Sequence, residues 1–243
     1  MDSKPGIRVS EYAIQCFPRM ALLLPHSLFI HIPKTGGSWV RRALHNAGVP
    51  LDEVIAEDID TSISMASAIH VVPSKLRISD RFRFAFVRHP LSFYQSYWTY
   101  KMMEGWQDSN SIDNIHQNAD FALFIRSTIS ECPEGWVTRL YRWYTGKEFD
   151  ALDFIGHTEC LEDDLVAALT FAGEEFDEKA LRATPRLNVA SQLAEWRERC
   201  AYTPDLRQEV YKADRATFEH FGYQEATAGM PLQRHHCMKM SST

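Results

Sequence analysis

The chain carries a loop rich in anion-binding groups directly after an apolar run. Residues 28–38 read LFIHIPKTGGS, so a lysine and two hydroxyls surround a glycine pair: Lys34, Thr35, Gly36, Gly37 and Ser38. Glycine leaves backbone N–H groups open to a ligand, and lysine adds a positive charge. A helix that begins at this point adds the positive end of its dipole. These groups predict a phosphate or sulfate site at a turn between a strand and a helix.

The order of these residues differs from that of the nucleotide-triphosphate loop. That loop reads G-x-x-x-x-G-K-S/T, with the lysine after the glycines and a hydroxyl placed for magnesium. Here Lys34 precedes the glycine pair, and no glycine lies in the five residues before it. A glycine pair between a strand and a helix is common as a plain turn. The lysine and hydroxyls beside it favour anion binding.

A second segment repeats the arrangement of a strand followed by a helix. Residues 84–97 read FAFVRHPLSFYQSY, an apolar strand that ends at Arg88. Pro90 predicts the start of a helix, because its missing N–H has no partner in the first turn. The planar guanidinium of Arg88 suits phosphate oxygens. Ser96 lies six residues after Pro90, under two helical turns, so its hydroxyl is in reach of the same anion.

These two segments resemble the phosphosulfate loop and the 3′-phosphate-binding element of sulfotransferases that use 3′-phosphoadenosine 5′-phosphosulfate (PAPS). The resemblance spans about residues 28–223, with weaker parts at 154–165 and 210–223. It implies an α/β fold with a three-layer, P-loop-NTPase-like parallel sheet flanked by helices. It also implies PAPS as the donor and no metal. The cofactor contacts that it implies are Lys34, Thr35, Gly36, Gly37, Ser38, Trp39, Arg88 and Ser96, with Arg186 and Asn188 in a segment that closes over the cofactor.

The chain departs from the family pattern at two positions. Phe93 stands where the family often carries a second arginine, which leaves Arg88 with less help on the 3′-phosphate. Trp39 stands where a smaller residue is usual, which predicts either an altered cofactor wall or an indole that reaches toward the acceptor. These departures keep a degenerate nucleotide-binding or interaction module as one alternative function. A nucleotide kinase or ATPase is the other, and it would require magnesium.

The implied reaction moves a sulfuryl group in line between two oxygens, so catalysis depends on positioning and on charge stabilisation. We expect Lys34 to be catalytic, stabilising the 5′-phosphate and the departing oxygen. The acceptor hydroxyl must lose a proton to a base. His70 is the candidate, since it precedes the strand at 82–87 as a catalytic histidine does in some carbohydrate sulfotransferases, although a histidine without a catalytic role is an equal alternative. Further candidates are His31 and, more weakly, Glu53, Glu57 and Asp58.

Composition restricts the partners of the protein. A length of 243 residues with 45% hydrophobic and 24% charged residues is typical of one globular domain. The net charge of −6 argues against nucleic acid and against highly sulfated acceptors. It favours neutral sugars, small alcohols or phenols as the hydroxyl acceptor. The five cysteines show no C-x-x-C spacing, which predicts reduced thiols and no zinc site.

The start of the chain shows neither a secretory signal nor an apolar run that could span a bilayer. We therefore expect a cytoplasmic protein, or one trimmed of an anchor. One domain is predicted over residues 1–223, with 1–20 as a lead-in, and a disordered tail over 224–243. Nothing in the sequence indicates an oligomeric state.

Apolar periodicity predicts alternating strands and helices, and hence a parallel sheet with ligands at the carboxyl ends of its strands. The expected strands are 28–32, 82–87 and 154–156. The expected helices are 38–47, 90–103, 119–129, 161–172 and 204–221. Residues 105–118 read as a loop, and the aromatic stretch over 133–144 reads mostly as core. The resemblance to the sulfotransferases implies that part of this stretch shapes an acceptor pocket.

Overall fold

A computed structural model describes residues 21–53, 81–107, 111–185 and 194–224 of the chain. Its strands are β1 (Ala21–Leu23), β2 (Ser27–Ile30), β3 (Asp52–Glu53), β4 (Phe82–Val87) and β5 (Phe154–His157). Its helices are α1 (Gly37–Asn46), α2 (Pro90–Glu104), α3 (Ser111–His116), α4 (Phe121–Glu131), α5 (Trp136–Thr145), α6 (Leu161–Ala172), α7 (Glu178–Arg182), α8 (Ala194–Arg199), α9 (Pro204–Ala213) and α10 (Arg215–His220).

The strands form one five-stranded sheet in the order β3-β1-β2-β4-β5. Strands β2, β4 and β5 run parallel to one another, as the sequence predicts. Strand β1 pairs antiparallel with both β2 and β3, so the complete sheet is mixed. The α/β class is therefore confirmed, with an antiparallel edge added to the parallel centre.

Side chains alternate across the sheet and build a separate core on each face. Along β2 and β4, Leu28, Ile30, Ala85 and Val87 enter a core shared with α2, α4, α5 and α9. The residues between them, including Phe29, enter a second core with α1 and α6. Successive side chains of a strand point to opposite faces, so two buried faces require helices on both sides. This arrangement gives the expected three layers.

The predicted helix over 204–221 is wrong as one element, because the chain turns at Asp214 between α9 and α10. The buried Asp214 carboxylate accepts a hydrogen bond from the Thr138 backbone N–H at 2.7 Å and from the Tyr94 hydroxyl at 3.0 Å. Burial raises the pKa of this carboxyl group from 3.8 to about 6. The turn thus places a carboxylate where it connects α2, α5 and α9.

The predicted loop over 105–118 contains the short helix α3. Its Asp113 is fully buried and lies 2.5 Å from the Lys101 ammonium and 2.6 Å from the Tyr97 hydroxyl. Both partners lie on α2, so a contact distant in sequence orders this polar stretch. Local composition alone does not reveal such a contact.

Several expectations lie outside the described residues. These are the lead-in, most of the tail and the candidates Glu57, Asp58, His70, Arg186 and Asn188. Within the described ranges, Cys132, Cys160 and Cys200 are free thiols. The same ranges hold no group of His, Cys, Asp and Glu side chains arranged to bind a metal ion. None of the helices described in them is long and apolar enough to cross a bilayer.

Candidate functional site

Parallel register brings the two predicted anion-binding segments to the same edge of the sheet. Ile30 of β2 lies opposite Ala85 of β4, so the loop after β2 and Arg88 after β4 emerge side by side. Strand β5 pairs with the other side of β4, which brings Thr158 to this edge as well. The site therefore lies at the carboxyl ends of neighbouring parallel strands.

Hydrogen bonds join Arg88 directly to the glycine-containing loop. Its Nη1 donates to the backbone carbonyl of Lys34 at 3.2 Å, and its Nε donates to Ser92 Oγ at 3.1 Å. The Thr158 hydroxyl lies 3.0 Å from the carbonyl of Thr35 and 2.9 Å from that of Val87. These contacts place the guanidinium at the same edge of the sheet as the glycine-containing loop.

The loop turns sharply and leaves the start of α1 uncapped. Lys34 and Gly36 have φ values of 66° and 93°, in the left-handed region that glycine adopts at little cost. For Lys34 the same conformation costs about 1–2 kcal/mol. Gly36 is the N-cap residue and supplies no side-chain hydrogen bond to the ten-residue helix. The first N–H groups of α1, including those of Gly37 and Ser38, are thus available to an anion.

Close packing under the loop gives the glycines a second role. A Cβ on Gly37 would lie 2.1 Å from Cδ2 of His31, and a Cβ on Gly36 would lie 2.7 Å from Cδ2 of Leu161. The side chain of His31, the second candidate base, therefore lies directly against the loop. Thr35 is 1% exposed, and its hydroxyl donates to the Ile32 carbonyl at 2.8 Å. That hydroxyl stabilises the turn from within.

The Lys34 ammonium lies over an aromatic ring at the edge of the site. Its Nζ is 3.8 Å from the centroid of the Tyr100 ring on α2. Burial, followed by the positive charges of Arg88 and Lys101, lowers the pKa of Lys34 from 10.5 to about 8, while Glu104 acts in the opposite direction. Lys34 is therefore mostly charged at neutral pH but loses its proton in the mildly alkaline range.

A buried network fixes the backbone around Arg88. The Tyr141 hydroxyl accepts from the Arg88 N–H and donates to the Arg88 carbonyl, each at 2.8 Å. Glu159 accepts from the His89 N–H at 2.9 Å and from the Tyr223 hydroxyl at 3.3 Å. Burial lowers the pKa of Arg88, and the negative charge of Glu159 opposes that shift. Glu159 thus acts as a counter-charge close to the site.

With this geometry established, the comparisons with known proteins identify the family. A model described as "Sulfotransferase family" matches residues 26–224, which is more than half of the chain and contains both anion-binding segments. The chain belongs to the sulfotransferase family. Members of this family use PAPS as the sulfate donor, so the protein is a PAPS-dependent sulfotransferase. Neither a search of curated proteins nor a search of solved structures finds a match.

The structure gives this sulfotransferase a reason for its Phe93. The ring is fully buried, and its centroid lies 5.6 Å from that of Trp136 and 6.0 Å from that of Tyr141. An arginine at this position would carry its charge into this aromatic core. Ser92 Oγ accepts a hydrogen bond from Arg88 Nε at 3.1 Å and so helps to orient the guanidinium.

Trp39 of the sulfotransferase is 4% exposed and packs in the core that lies between the sheet and α1. Its indole N–H donates to the Thr184 carbonyl at 3.2 Å. Neither expectation for Trp39, a cofactor wall or a reach toward the acceptor, draws support from these contacts. Ser96 is half-buried, and its hydroxyl has no hydrogen-bond partner among the described residues.

Sequence reasoning missed Tyr100, Tyr141, Thr158 and Ser92 as parts of the site. Tyr100 and Tyr141 belong to aromatic stretches that resemble ordinary core segments. Only the observation that Tyr100 is 39% exposed while facing Lys34 separates it from that core. Such information requires the tertiary structure.

Proposed function

We propose that this sulfotransferase transfers the sulfuryl group of PAPS to a hydroxyl of a neutral acceptor, namely a sugar, a small alcohol or a phenol. The observation that carries the proposal is the hydrogen bond from Arg88 Nη1 to the Lys34 carbonyl at 3.2 Å. It joins a guanidinium suited to one phosphate and a loop suited to another at a single edge of the sheet. PAPS, when bound, supplies the sulfuryl group together with two such phosphates.

The residues present fit that donor. The uncapped N–H groups of Gly37 and Ser38 and the ammonium of Lys34 bind the 5′ side. Arg88, oriented by Ser92, binds the 3′-phosphate. Charge on Lys34 stabilises the negative charge that develops on the departing oxygen. Ser96, which lies on α2 together with Ser92, adds a hydroxyl to the 3′-phosphate site.

The remaining predicted contacts support the site in different ways. Thr35 keeps the loop closed through its bond to the Ile32 carbonyl, and Trp39 supports α1 from the core. Arg186 and Asn188 keep their predicted role in closing over the donor, in a segment outside the described residues. His70 is the base that accepts the proton of the acceptor hydroxyl in this proposal. His31, which lies beside the glycine pair, is the alternative base.

The acceptor class follows from charge. With a net charge of −6, the protein does not attract a polyanionic acceptor by long-range steering, whereas the anionic donor is held locally by Lys34 and Arg88. The free thiols Cys132, Cys160 and Cys200 support a reducing compartment, and we propose the cytoplasm.

Isothermal calorimetry with 3′-phosphoadenosine 5′-phosphate (PAP) and with ATP–magnesium tests the donor. We expect PAP to bind and ATP–magnesium not to bind. A screen of neutral hydroxyl acceptors with labelled PAPS then tests transfer. Equal binding of ATP–magnesium would favour a kinase or ATPase, and tight PAP binding without turnover on any acceptor would favour a binding module.

Substitution of Lys34 tests the assigned chemistry. Lys34→Ala should lower kcat by about 10²–10³-fold, by analogy with the loss of one preorganised donor. Lys147→Ala, at an exposed position after α5, is the matched control and should leave kcat unchanged. Full turnover by Lys34→Ala would contradict the assignment.

A further inference from the structure

The aromatic ring of Tyr100 is the nearest described support of the Lys34 ammonium, with Nζ 3.8 Å from its centroid. The face of a tyrosine ring carries partial negative charge and attracts a cation held within about 6 Å. Tyr100 is 39% exposed, so burial alone does not account for the direction of its side chain. The ring therefore faces the loop across a contact between two segments far apart in sequence.

A buried anchor holds this part of α2 in place. The neighbouring Lys101 is 4% exposed, and its Nζ lies 2.5 Å from the carboxylate of Asp113 on α3. The same Nζ lies 5.4 Å from the Tyr100 ring centroid and 5.5 Å from that of Tyr97. The Tyr97 hydroxyl also donates to Asp113, at 2.6 Å. Tyr97 and Lys101, which flank Tyr100 in α2, thus both connect this helix to Asp113 of α3.

The charged neighbours of Lys34 act on its ammonium in opposite directions, and the two repulsive ones have the larger effect. Arg88 and Lys101 repel the ammonium, and Glu104 attracts it. A flexible lysine side chain loses rotamer entropy when it is ordered, so an unsupported ammonium samples several positions. A carboxylate in direct contact would order it but would also neutralise the charge that an anion needs. An aromatic face orders the ammonium and leaves its charge and its other N–H donors available.

We propose that Tyr100 is a positioning residue whose ring face holds the Lys34 ammonium at the loop before and during anion binding. The anion is the phosphosulfate of the donor, and in this respect the inference rests on the proposed function. The ring of Tyr100 does not contact the reacting atoms in this scheme. It acts through Lys34.

Kinetics on three variants separate the ring face from general packing. Tyr100→Leu keeps an apolar side chain but removes the ring face, and it should lower kcat/KM for PAPS by about 5- to 30-fold, mainly through kcat. Tyr100→Phe keeps the face and should stay within about twofold of the wild type, since only the hydroxyl is lost. Met103→Leu, at a 53% exposed position near the end of α2, is the matched control and should change nothing. Full activity of Tyr100→Leu, or an equal loss in Tyr100→Phe, would overturn the proposal.

Nuclear magnetic resonance gives a readout that does not depend on turnover. In protein labelled with ¹³Cε-lysine, the ring current should shift the Lys34 Hε protons upfield, with Lys34→Arg providing the assignment. The shift should persist in Tyr100→Phe, disappear in Tyr100→Leu and remain after PAP is added to the wild type. An ordinary lysine shift in the free wild type would overturn the proposal, as would loss of the upfield shift once PAP has bound. Failure of PAP to bind would overturn the proposed function, while the spectrum of the free protein would still decide whether Tyr100 holds Lys34.

Discussion

Binding of PAP should weaken as the pH rises above about 8, because Lys34 then loses its proton. Burial is the largest cause of its lowered pKa, the charges of Arg88 and Lys101 add to it, and Glu104 opposes them. A bound anion beside the ammonium favours the charged form and raises this pKa again. Between the pKa of the free protein and that of the complex, binding therefore takes up a proton.

The magnitude of the change in Kd follows from the pKa of Lys34 in the free protein, which is about 8. Above the lowered pKa of about 8, Kd should rise about tenfold for each pH unit. We expect Kd for PAP to increase about 20-fold between about pH 7.5 and about pH 9.5. The free energy of unfolding changes in the opposite direction. Between about pH 8 and the ordinary pKa of 10.5, the unfolded chain binds more protons at Lys34 than the native protein does. The free energy of unfolding of the ligand-free protein therefore rises by up to about 3 kcal/mol over this range.

Calorimetry in buffers of different ionisation enthalpy measures both the affinity and the proton uptake. Uptake should be close to zero at neutral pH and approach one proton per PAP in the alkaline range. Lys34→Arg is the matched control, because a guanidinium keeps its charge and should give a flat profile. A flat profile for the wild type, or an equal decline in Lys34→Arg, would refute the assignment of the titration to Lys34.

Three further substitutions test the architecture of the site. Arg88→Lys should weaken PAP binding by about 10- to 100-fold in calorimetry, since a lysine cannot replace the guanidinium fork; Arg83→Lys, at the other end of β4, should not, and equal losses would contradict the role of position 88. Gly37→Ala should lower the free energy of unfolding by about 1–3 kcal/mol in urea, because its methyl group would meet an imidazole at 2.1 Å; an unchanged midpoint would show that the loop has room. Lys101→Met should cost about 3–5 kcal/mol in the same assay by leaving the buried carboxylate of Asp113 unpaired. The double variant with Asp113→Leu should recover much of that loss, and no recovery would show that the pairing of charges is not the cause.

Local signals in the sequence were sufficient for the elements that position the site. The predicted strand over 82–87 and the predicted helix over 161–172 have the observed bounds, and Pro90 opens α2 as expected. An apolar run, a helical period and a proline at the first helical position each act within a few residues. The glycine pair beside Lys34 likewise predicted the turn at the start of α1. Its order of residues also pointed to the family that the match over 26–224 confirms.

Contacts between distant segments required the tertiary structure. The antiparallel edge, the turn at Asp214 and the helix α3 depend on partners that no local pattern identifies. The same applies to the choice of Ser92 as the residue that orients Arg88, since helix rotation decides which hydroxyl faces the guanidinium.

By itself, the sequence determined the anion-binding groups of the loop and of Arg88, and it predicted that they follow two strands of one sheet. Residue types and their spacing are local properties, and they specify an anion-binding turn wherever the chain places it. Only the tertiary structure decided that Arg88 contacts the Lys34 carbonyl and that Tyr100 lies beneath the ammonium. Those two contacts arise from the parallel register of β2 and β4 and from the packing of α2 against the loop, and both join residues more than fifty positions apart.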